Sequence, residues 1–337
     1  MEVGNTNRFQ GVFNGEDNEI RNIYQNLNNG SSTALFREAS NSTIQNLTLT
    51  GKIINSKWHA AGICAGGNVN IINCKNYVDV TGYNGVAGIV CTPGDNSIVN
   101  NCMNFGTITI TGNSYQYGGA GGIVGYIYAK EVKIENCQNN GNVMGNTTRA
   151  GIVGCVTGIG NNIEINNCNN QGKSRTGIVE WVRGGKINIV NTCNWGECDN
   201  GIVNRFNGAG WDAELELNIQ NSYNIGKVSN AGLLGTLGTV CKSITLNIEN
   251  CYNAGESDKA IVGTISRDSR TETVINITNT YYDGTKSLNI GAISEGITEM
   301  NIQNNASLIE ILNNNIGSNI TWKTWKLEED GYPVFEQ

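Results

Sequence analysis

The feature that most constrains this chain is an asparagine that returns once per repeat from one end to the other. Asn22, Asn46, Asn73, Asn101, Asn136, Asn167, Asn191, Asn221, Asn250 and Asn279 occupy equivalent places, 24 to 35 residues apart. Two residues before each stands an aliphatic side chain: Ile20, Ile44, Ile71, Val99, Ile134, Ile165, Ile189, Ile219, Ile248 and Ile277. Five residues after most of them comes a glycine, among them Gly106, Gly141, Gly172, Gly196, Gly226 and Gly255. A second glycine column opens a Gly-Ile-Val motif at Gly62, Gly88, Gly122, Gly151, Gly177, Gly201 and Gly232. The spacing varies in the connecting segments while these short apolar stretches hold constant.

A unit of this size, with two or three short strands and no helical periodicity, cannot bury its own apolar face, whereas stacked copies bury a continuous one. The repeat therefore predicts an all-β fold, a right-handed parallel β-helix of about ten coils over residues 1–290, with a C-terminal cap over 291–337. With strands about 4.8 Å apart, ten coils make a rod of roughly 45 to 50 Å. The stacked Asn column is expected to turn inward and bond amide to amide, and the column of turn glycines to supply positive φ. Ile and Val are expected to fill the interior. A short helix is predicted over Ser307–Asn315, beginning at a Ser cap.

Composition supports a β-rich chain and narrows its partners. There are 44 Gly, 2 Pro, 15% charged residues and a single His, too few long charged helix formers for a helical protein. A net charge of −7 with no Lys/Arg run argues against nucleic acid as a partner. No apolar segment reaches the roughly 18 residues of a membrane span. The start, MEVGNTNRFQGVF, has neither the basic nor the apolar region of a signal peptide. The expectation is an intracellular protein or a piece of a longer exported chain whose first coil continues upstream.

Cysteine invites chemistry at Asn136-Cys137, but the column dissolves the invitation. Its positions hold Ile23, Leu47, Cys74, Cys102, Cys137, Cys168, Thr192, Ser222, Cys251 and Thr280, so cysteine alternates with Ile, Leu, Thr and Ser. No His accompanies any copy to lower a thiol pKa, and no CxxC pair suggests zinc. The column reads as small buried side chains. Cys64, Cys91, Cys155, Cys198 and Cys241 fall elsewhere and leave room for one disulfide. No cofactor or metal is expected.

The carboxylates sort into a ladder and an exception. Lys173, Glu197, Lys227 and Glu256 alternate in sign on successive coils, and Arg175 and Asp199 repeat the arrangement, as surface pairs would. Glu180 instead occupies a slot that is Ala, Cys or Gly in most coils, with Asn204 next in the column. If the slot faces inward, the carboxyl needs a partner and has a raised pKa, as catalytic acids do. The simpler expectation is a bulged strand with Glu180 pointing out, since no second acid accompanies it.

If Ile faces in, alternation places Tyr126 and Tyr128, Thr157, Trp181 and Arg183, then Arg205 and Asn207 on one outer face of coils three to six. Trp195 and Trp211 lie in loops of the same coils. Aromatic and arginine side chains gathered this way suit sugar stacking or protein docking. They equally suit a cover for the sheet beneath long loops.

The stretches Gly122-Ile123-Val124-Gly125, Gly151-Ile152-Val153-Gly154, Gly232-Leu233-Leu234-Gly235 and Ile261-Val262-Gly263, each followed by an Asn-Cys or Asn-Ser/Thr segment and a turn glycine, resemble the GLUG-motif repeats of bacterial cell-surface proteins. RFQGVFNGEDNEIRNI looks like that family's opening coil and DGYPVF like its ending. Glu180 and Asn204 depart from the motif. The resemblance implies a secreted or wall-attached, adhesin-type protein of a kind also found flanking IgA-specific metallopeptidases. A metallopeptidase HExxH helix needs two histidines, and only His59 is present.

The expected function is a non-enzymatic extracellular module that binds a glycan or host protein through Tyr126, Tyr128, Trp181, Arg183, Arg205, Asn207 and Trp211. The alternatives are a carbohydrate lyase or hydrolase acting through Glu180, Arg183 and Arg205, and a passive stalk. The first predicts binding lost with Trp181, the second sugar release lost with Glu180, the third neither.

Overall fold

A computed structural model describes residue 3 and residues 7–112, 118–158, 160–208, 210, 212–238, 240–266 and 268–336. The chain is nearly all β, wound into parallel stacked coils of a β-solenoid of about nine turns, one fewer than the copies suggest. The aliphatic column sets the register. Val99, Ile134, Ile165, Ile189, Ile219, Ile248 and Ile277 pair in sequence from coil to coil. All are buried, as are the Ile and Val of the Gly-Ile-Val segments, which form the other wall of the same core.

The asparagine column that carries the repeat does bond amide to amide as expected, Asn73 to Asn46, Asn101 to Asn73, Asn167 to Asn136, Asn221 to Asn191 and Asn250 to Asn221, but it does not turn inward. The column that carries the repeat is not interior: Asn136 is exposed. Its ten members share φ between 46° and 57°, the left-handed region that Asn tolerates better than any other residue with a side chain. It makes the corner. The interior ladder lies three residues further on, at Asn76, Asn104, Asn139, Asn170, Asn194, Asn224 and Asn253, all fully buried. Each Nδ2 from Asn76 to Asn224 donates to the Oδ1 of the next, at 2.7 to 2.8 Å, so a low-dielectric interior holds a chain of satisfied amides.

The turn glycines then need another explanation, because of that column only Gly51 has positive φ. They are required by close approach. A Cβ on Gly141 would lie 2.1 Å from the carbonyl oxygen of Gly106, and one on Gly172 would lie 2.0 Å from that of Gly141. The Gly-Ile-Val glycines press on the ladder from its other side, where a Cβ on Gly151 would meet Asn170 Oδ1 at 2.1 Å. Two glycine columns thus enclose one asparagine ladder, and neither wall has room for a methyl group.

The helix α1 spans Ala306–Ile316, capped by Asn305, whose side chain accepts from Leu308 N at 3.1 Å; the cap is not Ser307. Leu308 and Leu312 of α1, with Trp325 and Val334, pack on Cys193, Tyr223, Tyr252 and Tyr281. The tail therefore lies along the flank of the later coils. It covers the corner column there: Asn191 donates to Thr321 O, Asn221 to Lys323 O and Asn250 to Leu312 O, while Trp325 Nε1 donates to Asn221 Oδ1 at 2.7 Å. Asn221 and Asn250 are fully buried as a result.

A small four-stranded sheet, Ala60–Ala61, Val86–Ala87, Ala120–Gly121 and Arg149–Ala150, stands beside the main sheet. Single bridges continue it through Thr176 to Asn200. Its residues are small until Arg149, where its chemistry changes.

Candidate functional site

That change of chemistry marks the site. The strand Val179–Val182 buries Val179 and Val182 in the main core and turns the two residues between them elsewhere. Trp181 pairs with Cys155 on one side and Arg205 on the other, in a column that begins at Tyr126. Tyr126, Trp181 and Arg205 are partly exposed and alternate with buried Ile127, Val182 and Phe206, the expected outward alternation.

Glu180 does not point outward. It is fully buried beneath the continuation of the small sheet. Oε2 accepts from Thr176 Oγ1 at 2.5 Å, and Oε1 accepts from Asn204 Nδ2 at 2.9 Å and an Arg205 guanidinium nitrogen at 3.0 Å. Arg175 Nη1 lies 3.2 Å from the same oxygen. The outward bulge expected of an unpartnered carboxylate does not form, because its partners are themselves departures from the repeat. Thr176 stands where the preceding coil has Ala150, and Asn204 replaces Gly. Burial pushes the Glu180 carboxyl above the usual carboxylate range, against the opposing pull of Arg175, Thr176, Arg205 and Asn204.

Above this buried charge, the Trp181 ring meets two guanidiniums, with Arg205 Cζ 4.2 Å and Arg183 Cζ 4.5 Å from its centroid. Asn207 Oδ1 accepts from Trp181 Nε1 and fixes the ring from the next coil. Glu180 thus holds Arg205, Arg205 lies over Trp181, and Asn207 orients Trp181.

Other expected members stand apart. Tyr126 is two coils away from Trp181, its hydroxyl accepting from Thr157 Oγ1 at 2.6 Å. The intervening column position is Cys155, buried, its thiol pushed up to about 12 by burial. Tyr128 projects into solvent, 71% exposed. Trp195 packs into the flank cluster with the C-terminal tail, so it does not rim this face. Trp211 lies outside the described residues. Sequence reasoning missed Arg149, Arg175 and Thr176 as members of one cluster, although each breaks a column of small residues.

Glycoside hydrolysis uses two carboxyl groups flanking the scissile bond; here one is sealed from solvent, and Asp199 is paired to Arg175 at 3.7 Å. All eleven cysteines are buried and free, so the disulfide for which the sequence left room is not formed. Cys137 sits in the core, with its Sγ 3.1 Å from Glu135 O and 3.4 Å from Val99 O, either of which can accept its one S–H. Among the described residues no group of three or more His, Cys, Asp or Glu converges as metal ligands, and no helix is long and apolar enough to cross a membrane. Comparison with family models, curated proteins and solved structures gave no match.

Proposed function

We propose that this chain is a non-enzymatic binding module of a bacterial surface protein, working outside the cell and docking a glycan on the outer face around Trp181. The observation that carries this reading is the constrained indole. An aromatic ring fixed by Asn207, flanked by Arg183 and Arg205 and partly exposed on a stacked sheet is a preordered platform for a sugar ring. Around it Arg183, Arg205 and Asn207 offer polar groups to hydroxyls. The GLUG-like segments agree with a surface location.

A glycan array tests the reading. Binding by the wild type that is lost in Trp181→Ala, with the melting temperature unchanged, is the expected result. No binding to any glycan would overturn it in favour of a stalk or a protein-docking surface. Reducing-sugar release from a polysaccharide, abolished by Glu180→Gln, would overturn the non-enzymatic assignment.

A further inference from the structure

The arginines of this chain are unevenly spread. Between residues 38 and 266 there are four: Arg183 and Arg205 lie over Trp181, Arg175 shares Glu180 with Arg205, and Arg149 stands beside Arg175 on the preceding coil. They gather on a protein whose net charge is −7. Two of them, Arg175 and Arg205, are held by Glu180. The other two have no carboxylate partner among the described residues: Arg149 reaches only the carbonyl of Thr147 at 3.3 Å, and Arg183 stacks on Trp181 with its Nε unbonded.

Arg149 and Arg175 are also neighbours on successive coils, since the following residues, Ala150 and Thr176, are bridged in parallel. Strands so paired lie about 4.8 Å apart. Like charges stacked at that distance repel, and such pairs are unfavourable in a sheet. Burial, with the repulsion of Arg175, holds the Arg149 guanidinium below its ordinary value. Elsewhere the outer ladder alternates sign, as in Lys173 with Glu197 and Lys227 with Glu256. At Arg149 and Arg175 alternation fails, and it fails toward positive charge.

Four guanidiniums face two carboxylates, Glu180 and Asp199, which leaves an excess of two positive charges beside the indole. Buried Glu180 fixes where Arg175 and Arg205 stand while remaining inaccessible to a ligand. Guanidinium forks fit planar or tetrahedral oxyanions and can bind them through two parallel hydrogen bonds.

We infer that the ligand of this face is an acidic glycan, with carboxylate or sulfate groups seated between Arg149 and Arg175 and against Arg183 while a sugar ring stacks on Trp181. The inference rests on the glycan reading and adds the charge of the ligand.

The experiment measures binding of the full chain to polygalacturonate, to its fully methyl-esterified form and to heparin, at low and moderate salt. The variants are Arg149→Gln, Arg183→Gln and the double variant, chosen because neither arginine holds Glu180, with thermal unfolding as the folding control. The expected result is binding to one or both acidic polymers, weaker binding to the ester, and loss of about tenfold in affinity per arginine removed, the worth of one charged hydrogen bond. Preference for polygalacturonate assigns the anion as carboxylate, and preference for heparin assigns it as sulfate. Equal binding of acid and ester, or an acid affinity unchanged in the double variant, overturns the charge inference and leaves the glycan reading standing. Absence of binding to every glycan overturns both.

Discussion

Asn139 donates its Nδ2 to the Oδ1 of Asn170 at 2.8 Å while its own Oδ1 accepts from Asn104 at the same distance. A second donation reaches Gly141 O at 2.8 Å. The side chain is enclosed, so no water can replace these bonds. Asn139→Ala leaves an amide donor, an amide acceptor and a backbone carbonyl unpaired in the interior. The expected cost is about 3 kcal/mol, since each buried group left unsatisfied costs about 1 to 3 kcal/mol. Chemical denaturation should show the midpoint falling sharply; an unchanged midpoint would mean the ladder does not stabilise the stack.

Asn136, three residues earlier, should respond in the opposite way. It is exposed, holds φ at 55°, and its side-chain bonds to Asn100 and Asn167 are open to water, which can replace them, so backbone conformation dominates its substitutions. Asn136→Gly is expected to be nearly neutral, whereas Asn136→Ala should cost about 1 kcal/mol, the penalty of a Cβ in the left-handed region. Thermal unfolding of the two variants would sink this reading if Gly were the worse replacement. At Asn139, by contrast, Gly should be no better than Ala.

Glu180 is a third case, where charge decides. Glu180→Leu removes the carboxylate from two guanidiniums that are only 25–30% exposed. Breaking a buried pair costs about 3 to 5 kcal/mol, and partial exposure of the arginines reduces the expectation to about 2 to 4. Glu180→Gln keeps partners for Thr176 and an Arg and should cost less. If the Leu variant melts with the wild type, Glu180 is not what holds Arg175 and Arg205.

His59 gives the pH dependence. It is the only histidine, it stacks on Trp58 with ring centroids 4.9 Å apart, and burial lowers its pKa to about 4. Folding therefore favours the neutral ring. Between the unfolded value of 6.5 and about 4 the unfolded chain binds more protons, so the contribution of His59 is complete above pH 6.5 and is lost as the pH falls through that window. A shift of this size corresponds to about 3 kcal/mol at most. His59→Gln should flatten the stability profile between pH 6.5 and 4. A single histidine resonance titrating near 6.5 in the folded protein would contradict it.

Legibility in the sequence followed the kind of residue. The column Val99, Ile134, Ile165, Ile189 can be aligned by eye, and alternation along the Gly-Ile-Val strands places Tyr126, Trp181 and Arg205 outward as found, although Thr157, placed outward by the same alternation, is buried. The inner ladder is equally visible, as an Asn three residues after each corner Asn from Asn73 to Asn250. Which of the two stacked Asn columns faces in is not legible in the sequence, because it depends on backbone φ. Glu180 was misplaced because its partners, Thr176 and Arg175 in its own coil and Asn204 and Arg205 in the next, are joined only by the winding.

By itself the sequence determined that this chain must stack. Its repeat is too short to enclose a core alone, and its apolar residues recur in register, so parallel coils are the way to bury them. Only the tertiary structure decided which asparagine faces in, why glycine flanks it, where the C-terminal tail lies, and that Glu180 is sealed beneath arginines. Those outcomes depend on contacts between residues 24 to 130 positions apart. Such contacts form when successive coils set their register and the tail folds back over them, and neither event is written in any single repeat.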